Sequence, residues 1–201
     1  MAGGFGGTTT KGRRFPAEPL TTEEVRGLLA ACGRGACGAR ERALIAMLYR
    51  GGLRINEALM LEAKDVDVRT GVVRVLYAKG GKQRVVGVDE EAIAFVELWL
   101  ERRERLGLGR GGALFCTLAG ARLSRVQVAQ RLKKLGEKAG IEKRVHPHGL
   151  RHSSSLAMMR AGIAVPLIQR ALGHSSLATT AIYLNHIAPE DVTSAMRGMA
   201  W

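Results

Sequence analysis

Four short clusters of basic, imidazole and phenol side chains could carry phosphate chemistry, and the first is built around Arg54. In the run GLRINEAL, residues 52–59, this arginine directly follows a glycine break and precedes a helical pattern. A guanidinium at the mouth of a helix, beside backbone N–H groups that lack a helical partner, is a good phosphate site. Taken alone, the run fits an exposed surface arginine better.

The second cluster is the run AKGGKQR, residues 78–84, which gathers Lys79, Lys82 and Arg84 around two glycines. It links two segments of alternating apolar residues, so we expect it to form the tip of a β-hairpin. Three cations on such a tip can enter a DNA groove, and one lysine could donate a proton. Taken alone, the run fits a solvated turn better.

The third cluster is the run HPHGLRH, residues 146–152. Pro147 favours a turn into a helix, so His148 is predicted near a helix start, with Arg151 on the same face three residues later. A titratable imidazole beside a fixed cation suits acid–base chemistry on a phosphate. His148 and His152 also have the spacing of zinc-binding histidines, but Gly149 stands where that zinc-protease pattern requires glutamate.

The fourth cluster is the run LGHSS, residues 172–176, followed by Tyr183 nine residues after His174. A lone tyrosine is usually a core or interface residue. Here the tyrosine comes shortly after another polar break that bears a histidine. A free phenol has a pKa near 10, so it needs help to lose its proton before it can act as a nucleophile.

Together the strings GLRINEAL, AKGGKQR, HGLRH, LGHSS and TTAIY resemble the active-site boxes of the tyrosine recombinase (phage integrase) family. They follow one another in the order and rough spacing of that family, and the resemblance extends from Leu20 to nearly the end of the chain. It implies a mainly α-helical catalytic domain with a small antiparallel β-sheet (α+β) that bears the hairpin lysine. The implied catalytic residues are Arg54, Lys79, His148, Arg151, His174 and Tyr183.

The resemblance also implies a role for each residue of this set. Arg54, Arg151 and His174 would hold the non-bridging oxygens of a phosphodiester, while Tyr183 attacks the phosphorus and forms a 3′-phosphotyrosyl bond. The phenol proton would go to His148. The leaving 5′-oxygen would take its proton from the hairpin lysine. Because bond energy is conserved and side chains handle the charge, the mechanism requires no ATP, metal or other cofactor.

The bulk composition independently favours nucleic acid as a partner. Lys plus Arg is 31 against Asp plus Glu 18, which gives a formal net charge of +13. Such a field attracts polyanions, and an anionic membrane surface is the rival partner. We expect no membrane association, because no apolar run is long enough to span a bilayer and no helix combines a basic face with a large apolar face. Candidate DNA contacts are Lys82, Arg84, Arg122, Arg125 and Arg131; for the last three a solvated basic face is the alternative.

Composition also bears on the core and on the redox compartment. Hydrophobic residues are 46% of the chain and aromatics only 4%, so aliphatic side chains must fill a substantial core. Three cysteines and no apolar signal segment favour reduced thiols and a cytoplasmic, nucleoid-associated protein. Cys32 and Cys37 would be half a zinc site, but no second pair has suitable spacing.

The pattern along the chain predicts a flexible basic arm at residues 1–19 and one catalytic domain at residues 20–201, which includes a C-terminal tail at 189–201. A capping box at Thr21 and Glu24 and a cap at Ser124 mark two helix starts. Further helices are expected from His148 onward, with breaks near Gly162, Gly173 and Pro189. Predicted helices begin near residues 21, 40, 56, 90 and 124, and a loop from Gly33 to Gly38 is expected to end the first of them. Predicted strands cover 72–77, 84–88 and 114–115.

Two features depart from the family pattern. Gly149 stands where the family usually has Asp, a change that we expect to loosen the site rather than abolish it. Only the predicted arm precedes the first helix, where most members carry a separate DNA-clamping domain. Three explanations for the missing clamping domain stay open. The chain is a compact member resembling the fimbrial phase-variation recombinases, an excised domain or a decayed copy.

The resemblance implies double-stranded DNA as substrate, a homo-oligomer (dimer or tetramer) on that DNA, and accessory DNA-bending proteins. The C-terminal tail would dock on a neighbouring protomer or pack on its own subunit. Two other functions compete with site-specific recombination. A type IB topoisomerase resembles this site chemically, and a non-catalytic DNA-binding module would keep the basic surface without cleavage.

Overall fold

The computed structural model describes residues 18–77, 83–109, 111–173 and 196–197. Lys79, Lys82, His174 and Tyr183 therefore lie outside the described residues, as do most of the predicted arm and tail. The helices are α1 (Thr22–Ala31), α2 (Ala36–Tyr49), α3 (Ile55–Met60), α4 (Glu90–Arg105), α5 (Arg125–Lys138), α6 (Pro147–Arg160) and α7 (Val165–Leu172). The strands are β1 (Val66–Asp67), β2 (Val72–Val75) and β3 (Arg84–Gly87).

Local capping signals place several helix starts where the sequence predicts them. The Glu24 amide donates to the Thr21 hydroxyl at 3.1 Å, and the Thr21 amide donates to the Glu24 carboxylate at 2.7 Å. Ser124 caps α5 in the same way. Each cap satisfies N–H groups that have no partner inside the helix, which fixes the first turn. The predicted capping box and cap are confirmed.

Helix α2 forms the centre of the core. Its residues 43–49 are all buried, and it packs against α4 on one side and α6 on another. A helix that is apolar around most of its circumference must be enclosed in this way. Because α2 ends just before the glycine break at residues 51–52, the packed core fixes where the chain emerges into α3.

The start of α2 differs from the prediction, which gave a loop through Gly38 and a helix from about Arg40. The helix begins at Ala36, and Gly38 lies inside its first turn. A Cβ atom at this position would collide with the backbone of Gly33. The glycine that suggested a loop is therefore required by a close approach of two backbone segments.

The sheet has three antiparallel strands in the order β1-β2-β3, and Val73 pairs with Val86. The predicted strand at Leu114–Phe115 is wrong. These residues are fully buried in a loop, where the Leu114 carbonyl accepts from the Trp99 indole at 2.8 Å and from Arg103 at 2.9 Å. Backbone pairing there is limited to isolated bridges, Glu62 with Ala113 and Cys116 with Arg122, and the third strand of the sheet is β1.

The last two described helices end at glycines as predicted. α6 ends at the turn containing Gly162, and Gly173 caps the C-terminus of α7 in the left-handed conformation. Pro166 lies in the first turn of α7. The expectation of a mainly α-helical fold with a small antiparallel sheet is confirmed. Within the described ranges, no helix has the length and apolar content needed to cross a membrane.

Candidate active site

Arg54 and Arg151 converge on the C-terminal end of α7. Arg54 is the residue that precedes α3, and its guanidinium donates to the Leu172 carbonyl at 3.4 Å and to the Gly173 carbonyl at 3.0 Å. Arg151, in α6, donates to the same Leu172 carbonyl at 2.6 Å and to the Gly52 carbonyl. The carbonyl end of a helix carries partial negative charge, which attracts both cations. Two predicted site residues far apart in sequence thus meet at one point.

Glu57 lies beneath these two arginines and was missed by the sequence reasoning. Its side chain is 1% exposed, and it accepts from the Arg54 guanidinium at 2.9 Å and from the Arg54 amide at 2.8 Å. The nearest nitrogen of Arg151 is 4.0 Å from it. A carboxylate this deeply buried requires such partners to stay charged. The available signal was its spacing of three from Arg54, on the side of α3 that also buries Ala58.

Arg84 completes the cluster from β3. Its two terminal nitrogens donate to the two Glu57 oxygens, each at 2.8 Å, and its Nε donates to the Ala171 carbonyl at 3.0 Å. Its side chain is 10% exposed. The guanidinium of Arg84, which the sequence predicts as a DNA contact, faces inward and joins β3 to α3 and α7. Side chains two residues apart on a strand point to the same face of the sheet. Because Val86 is buried, the sequence pattern of β3 indicates that Arg84 also points inward.

The charges of this cluster favour an anion. Burial by itself would raise the pKa of Glu57, but hydrogen bonds and charges from Arg84 and Arg54 outweigh it and hold the pKa below its ordinary value. Glu57 thus contributes one negative charge against three guanidiniums. The surplus positive charge is fixed in place by backbone and carboxylate contacts, an arrangement that can stabilise negative charge on a phosphate.

His148 lies at the second residue of α6, near a helix start as predicted. It is exposed, whereas Arg151 one turn later is buried. The imidazole can therefore meet a reactant from solvent, while the guanidinium forms the floor of the site. His152 is buried too.

The three candidate DNA contacts around α5 differ from one another. Arg122 donates to the Leu59 carbonyl and ties its loop to the end of α3. Arg131 pairs with Glu41 at 2.6 Å and is 48% exposed. Arg125 is exposed at the first residue of α5. Of these three, Arg125 is the most available to an incoming phosphate.

The remaining predicted catalytic residues, Lys79, His174 and Tyr183, lie outside the described residues. Gly173, whose carbonyl accepts from Arg54, directly precedes His174 in the chain. The C-terminal end of α7 thus leads from the arginine cluster into the segment that bears the predicted histidine and tyrosine.

The cysteines form no disulfide among the described residues. Burial, and then the charge of Glu41, raise the pKa of the Cys32 thiol to about 11, so it stays protonated at neutral pH. In the part of the chain that the structure describes, no three or more His, Cys, Asp or Glu side chains are grouped as a metal site requires.

Comparison with known proteins decides the family. The model of the phage integrase family matches residues 18–190, which is most of the chain. The chain belongs to the phage integrase family. It is 40% identical over 186 residues to tyrosine recombinase XerD of Mycobacterium leprae (strain TN), covering 87% of this chain and 58% of that protein. It is 33% identical over 178 residues to tyrosine recombinase XerC of Escherichia coli O1:K1 / APEC, covering 89% and 59% respectively.

Solved structures confirm the expected tyrosine recombinase catalytic-domain fold. The crystal structure of XerA recombinase matches 96% of this integrase-family chain and 68% of its own, with a TM-score of 0.80 and 28% identity. XerH site-specific recombinase, in a post-cleavage complex with its palindromic difH substrate, matches 94% and 55% with a TM-score of 0.74 and 30% identity. The chain thus spans somewhat under three fifths of the length of the curated relatives named above.

Proposed function

We propose that this chain cuts and rejoins DNA strands at a specific site through a covalent bond between Tyr183 and a 3′-phosphate. The observation that carries the proposal is the convergence of Arg54 and Arg151 above Glu57, with a net positive charge fixed in place. Relatives named tyrosine recombinases support it, as does a similar recombinase structure in a post-cleavage complex.

In the proposed reaction, the two guanidiniums and His174 bind the non-bridging oxygens of the scissile phosphate. Arg54 gives up part of its contact with the Gly173 carbonyl as it turns to the phosphate, while Arg84 keeps Glu57 in place. The charge that builds up on the phosphorane oxygens in the transition state then meets donors that are already oriented. Preorganisation of this kind lowers the barrier because little has to move at the moment of reaction.

Two proton transfers accompany strand cleavage. His148, exposed at the start of α6, accepts the phenol proton as Tyr183 attacks phosphorus. Lys79 gives a proton to the 5′-oxygen as the P–O bond breaks. The phosphodiester is exchanged for a phosphotyrosyl ester of similar energy, so the reverse steps rejoin a strand, and no cofactor takes part.

DNA contacts outside the catalytic set are proposed to come from Lys82, Arg122, Arg125 and Arg131. Arg125 contributes through its exposed position, and Arg131 must share its charge with Glu41. Residues 20–201 are proposed as the catalytic domain after a basic arm. A homo-oligomer on DNA, with accessory DNA-bending proteins and a location at the nucleoid, completes the proposal.

The test is covalent trapping on a pool of nicked duplexes whose central sequence is randomised. A nick beyond the scissile phosphate lets the cleaved fragment diffuse away, so the phosphotyrosyl adduct accumulates and survives denaturant. We expect an adduct with the native protein, a defined sequence among the trapped DNA, and no adduct with Tyr183→Phe. Tyr77→Phe is the matched control, because Tyr77 is an exposed tyrosine outside the proposed site.

The other outcomes separate the competing functions. Adducts without sequence preference, together with relaxation of any supercoiled plasmid, would indicate a type IB topoisomerase. Tight, sequence-specific binding without an adduct would indicate a non-catalytic DNA-binding module. An adduct that persists in Tyr183→Phe would overturn the assignment of the nucleophile.

A further inference from the structure

The N-terminus of α6 is capped by an unusual residue, His146. Its Nδ1 accepts a hydrogen bond from the Gly149 amide at 3.1 Å. Pro147 follows as the first helical residue and has no N–H of its own to satisfy. Asp, Asn, Ser and Thr are the side chains that usually accept this bond. An imidazole can do so only while Nδ1 carries no proton, which means the neutral tautomer with its proton on Nε2.

Gly149 fits this cap closely. A Cβ atom at this position would lie 3.3 Å from Nε2 of His146 and 3.5 Å from two ring carbons, so the ring lies against the glycine. The capping ring thus packs directly against the position at which this chain departs from the family pattern.

The capping ring is also next to the proposed base. The ring centroids of His146 and His148 are 6.4 Å apart, and the two planes differ by 21°. Arg151 follows one turn later on the same helix. A helix end that frays at His146 would thus displace the exposed imidazole of His148 first and loosen the backbone that supports Arg151.

The charges around His146 oppose its protonation. Burial lowers its pKa, and the positive charge of Arg144 and the neighbouring His148 lower it further. The amide end of α6 adds partial positive charge in the same direction. The ring also lines a surface pocket of about 570 Å³ between α5 and the loop that joins α5 to α6. The charged residues around that pocket are Lys133, Glu137, Glu142, Lys143 and Arg144.

We propose that His146 is a positioning residue for DNA cleavage: its neutral imidazole caps α6 and thereby fixes His148 and Arg151, and its protonation releases them. This inference rests on the proposed function for its effect on cleavage, but the cap itself can be tested without DNA. Protonation removes the acceptor and places a cation at the positive end of the helix. The folded state therefore loses the stabilisation from this cap as pH falls below about 6.5 towards the lowered pKa of His146.

The first experiment uses the full-length protein without DNA. Nitrogen-15 NMR of the imidazoles reports the tautomer of His146, and amide hydrogen exchange reports protection at Gly149 as a function of pH. We expect Nδ1 to be unprotonated at neutral pH and the protection factor of Gly149 to fall with acidification, while amides of α2 keep theirs. A proton on Nδ1 at neutral pH, or protection at Gly149 that does not depend on pH, would overturn the proposal.

Two variants of His146 test whether the cap affects the rate of DNA cleavage. His146→Ala removes the acceptor, and His146→Asn keeps an acceptor that does not titrate. We expect His146→Ala to lower the rate of single-turnover adduct formation about 3- to 30-fold. This is the factor by which loss of an N-cap shifts the equilibrium towards a frayed helix end. His146→Asn should stay within about threefold of the native rate at pH 7.5 and keep protection at Gly149 in mild acid.

The outcomes separate this inference from the proposed function. Native cleavage by His146→Ala would contradict a positioning role, and so would a loss in His146→Asn as large as that in the alanine variant. If the native protein forms no adduct at all, the proposed function fails. The tautomer and the protection of Gly149 then still decide whether His146 is the pH-dependent cap.

Discussion

The arginines of the Glu57 cluster and those around α5 are the same residue type in opposite settings. Arg84 and Arg151 are almost fully buried, and their donors end on a carboxylate and on backbone carbonyls. Arg125 and Arg131 lie on an exposed helix face, where water and salt screen their charge. Position in the fold, more than residue type, therefore decides whether an arginine helps to organise the active site or adds affinity for a polyanion.

The largest expected effect is on cleavage by Arg151→Lys. An ammonium cannot reach the Gly52 and Leu172 carbonyls together while also facing a phosphate, because it lacks the planar fork of a guanidinium. We expect single-turnover adduct formation to fall about 100- to 1,000-fold, as for loss of one oriented donor to a developing oxyanion. A lysine variant that cleaves within tenfold of the native rate would contradict the assigned role.

The next effect is on stability in Glu57→Gln. The amide keeps the shape but leaves three guanidiniums around a neutral group, and breaking a buried ion pair costs about 3–5 kcal/mol. We expect the free energy of unfolding in urea to drop by that order, with loss of cleavage. Glu101→Gln serves as the matched control, because Glu101 is an exposed carboxylate on α4; it should change stability little.

The difference in stability between the native protein and Glu57→Gln should depend on pH, because the pKa of Glu57 is lowered in the folded state. A folded-state pKa below the unfolded value stabilises the native protein above about pH 4.3, and this stabilisation disappears as pH falls through the folded pKa. The stability gap between native protein and Glu57→Gln should therefore be full near neutral pH and shrink in acid. Urea titrations at several pH values measure it; a gap that widens on acidification would contradict the assigned ion pairs.

A smaller effect distinguishes Arg84 from a DNA contact. Arg84→Lys keeps the charge but loses the two-pronged bond to Glu57, so we expect a stability loss of about 1–3 kcal/mol. The dependence of DNA affinity on salt should be unchanged, because no phosphate contact is lost. If stability stayed native while the slope of log affinity against log salt fell by about one, Arg84 would be a DNA contact after all.

The smallest effect is expected from Arg125→Ala. Loss of one exposed phosphate contact should weaken binding severalfold and reduce the salt slope by about one, with stability changed by no more than about 0.5 kcal/mol. The adduct rate at saturating DNA should stay native. Arg131→Ala is the companion variant, and its slope should change less because Glu41 already neutralises that side chain. Equal slopes for both variants would remove the distinction between them.

Local signals explain what the sequence predicted correctly. A glycine break places Arg54 before α3, and Pro147 places His148 at the start of α6, because both signals act on neighbouring residues. Glu57 gives a weaker local signal, its spacing of three residues from Arg54, which does not indicate burial. It looks like a surface residue of a short helix, and its burial depends on Arg84 and Arg151 arriving from β3 and α6.

Two other misses have the same physical origin. Leu114 and Phe115 have the composition of a strand, but Trp99 and Arg103 of α4 take the Leu114 carbonyl and hold the segment as a buried loop. Gly38 resembles a loop residue until the backbone of Gly33 approaches it. In each case the contact that decides the conformation comes from residues outside the segment, so the sequence pattern within the segment does not predict it.

Peptide mapping of the trapped adduct directly tests whether Tyr183 is the residue that bonds to DNA. The denatured protein–DNA adduct would be digested with protease and nuclease, and mass spectrometry would locate the nucleotide remnant. We predict a single modified peptide that carries the remnant on Tyr183, absent in Tyr183→Phe and strongly reduced in Arg151→Lys. A remnant on any other residue would contradict Tyr183 as the nucleophile. An adduct yield that does not change in Arg151→Lys would contradict the role of Arg151 in binding the phosphate.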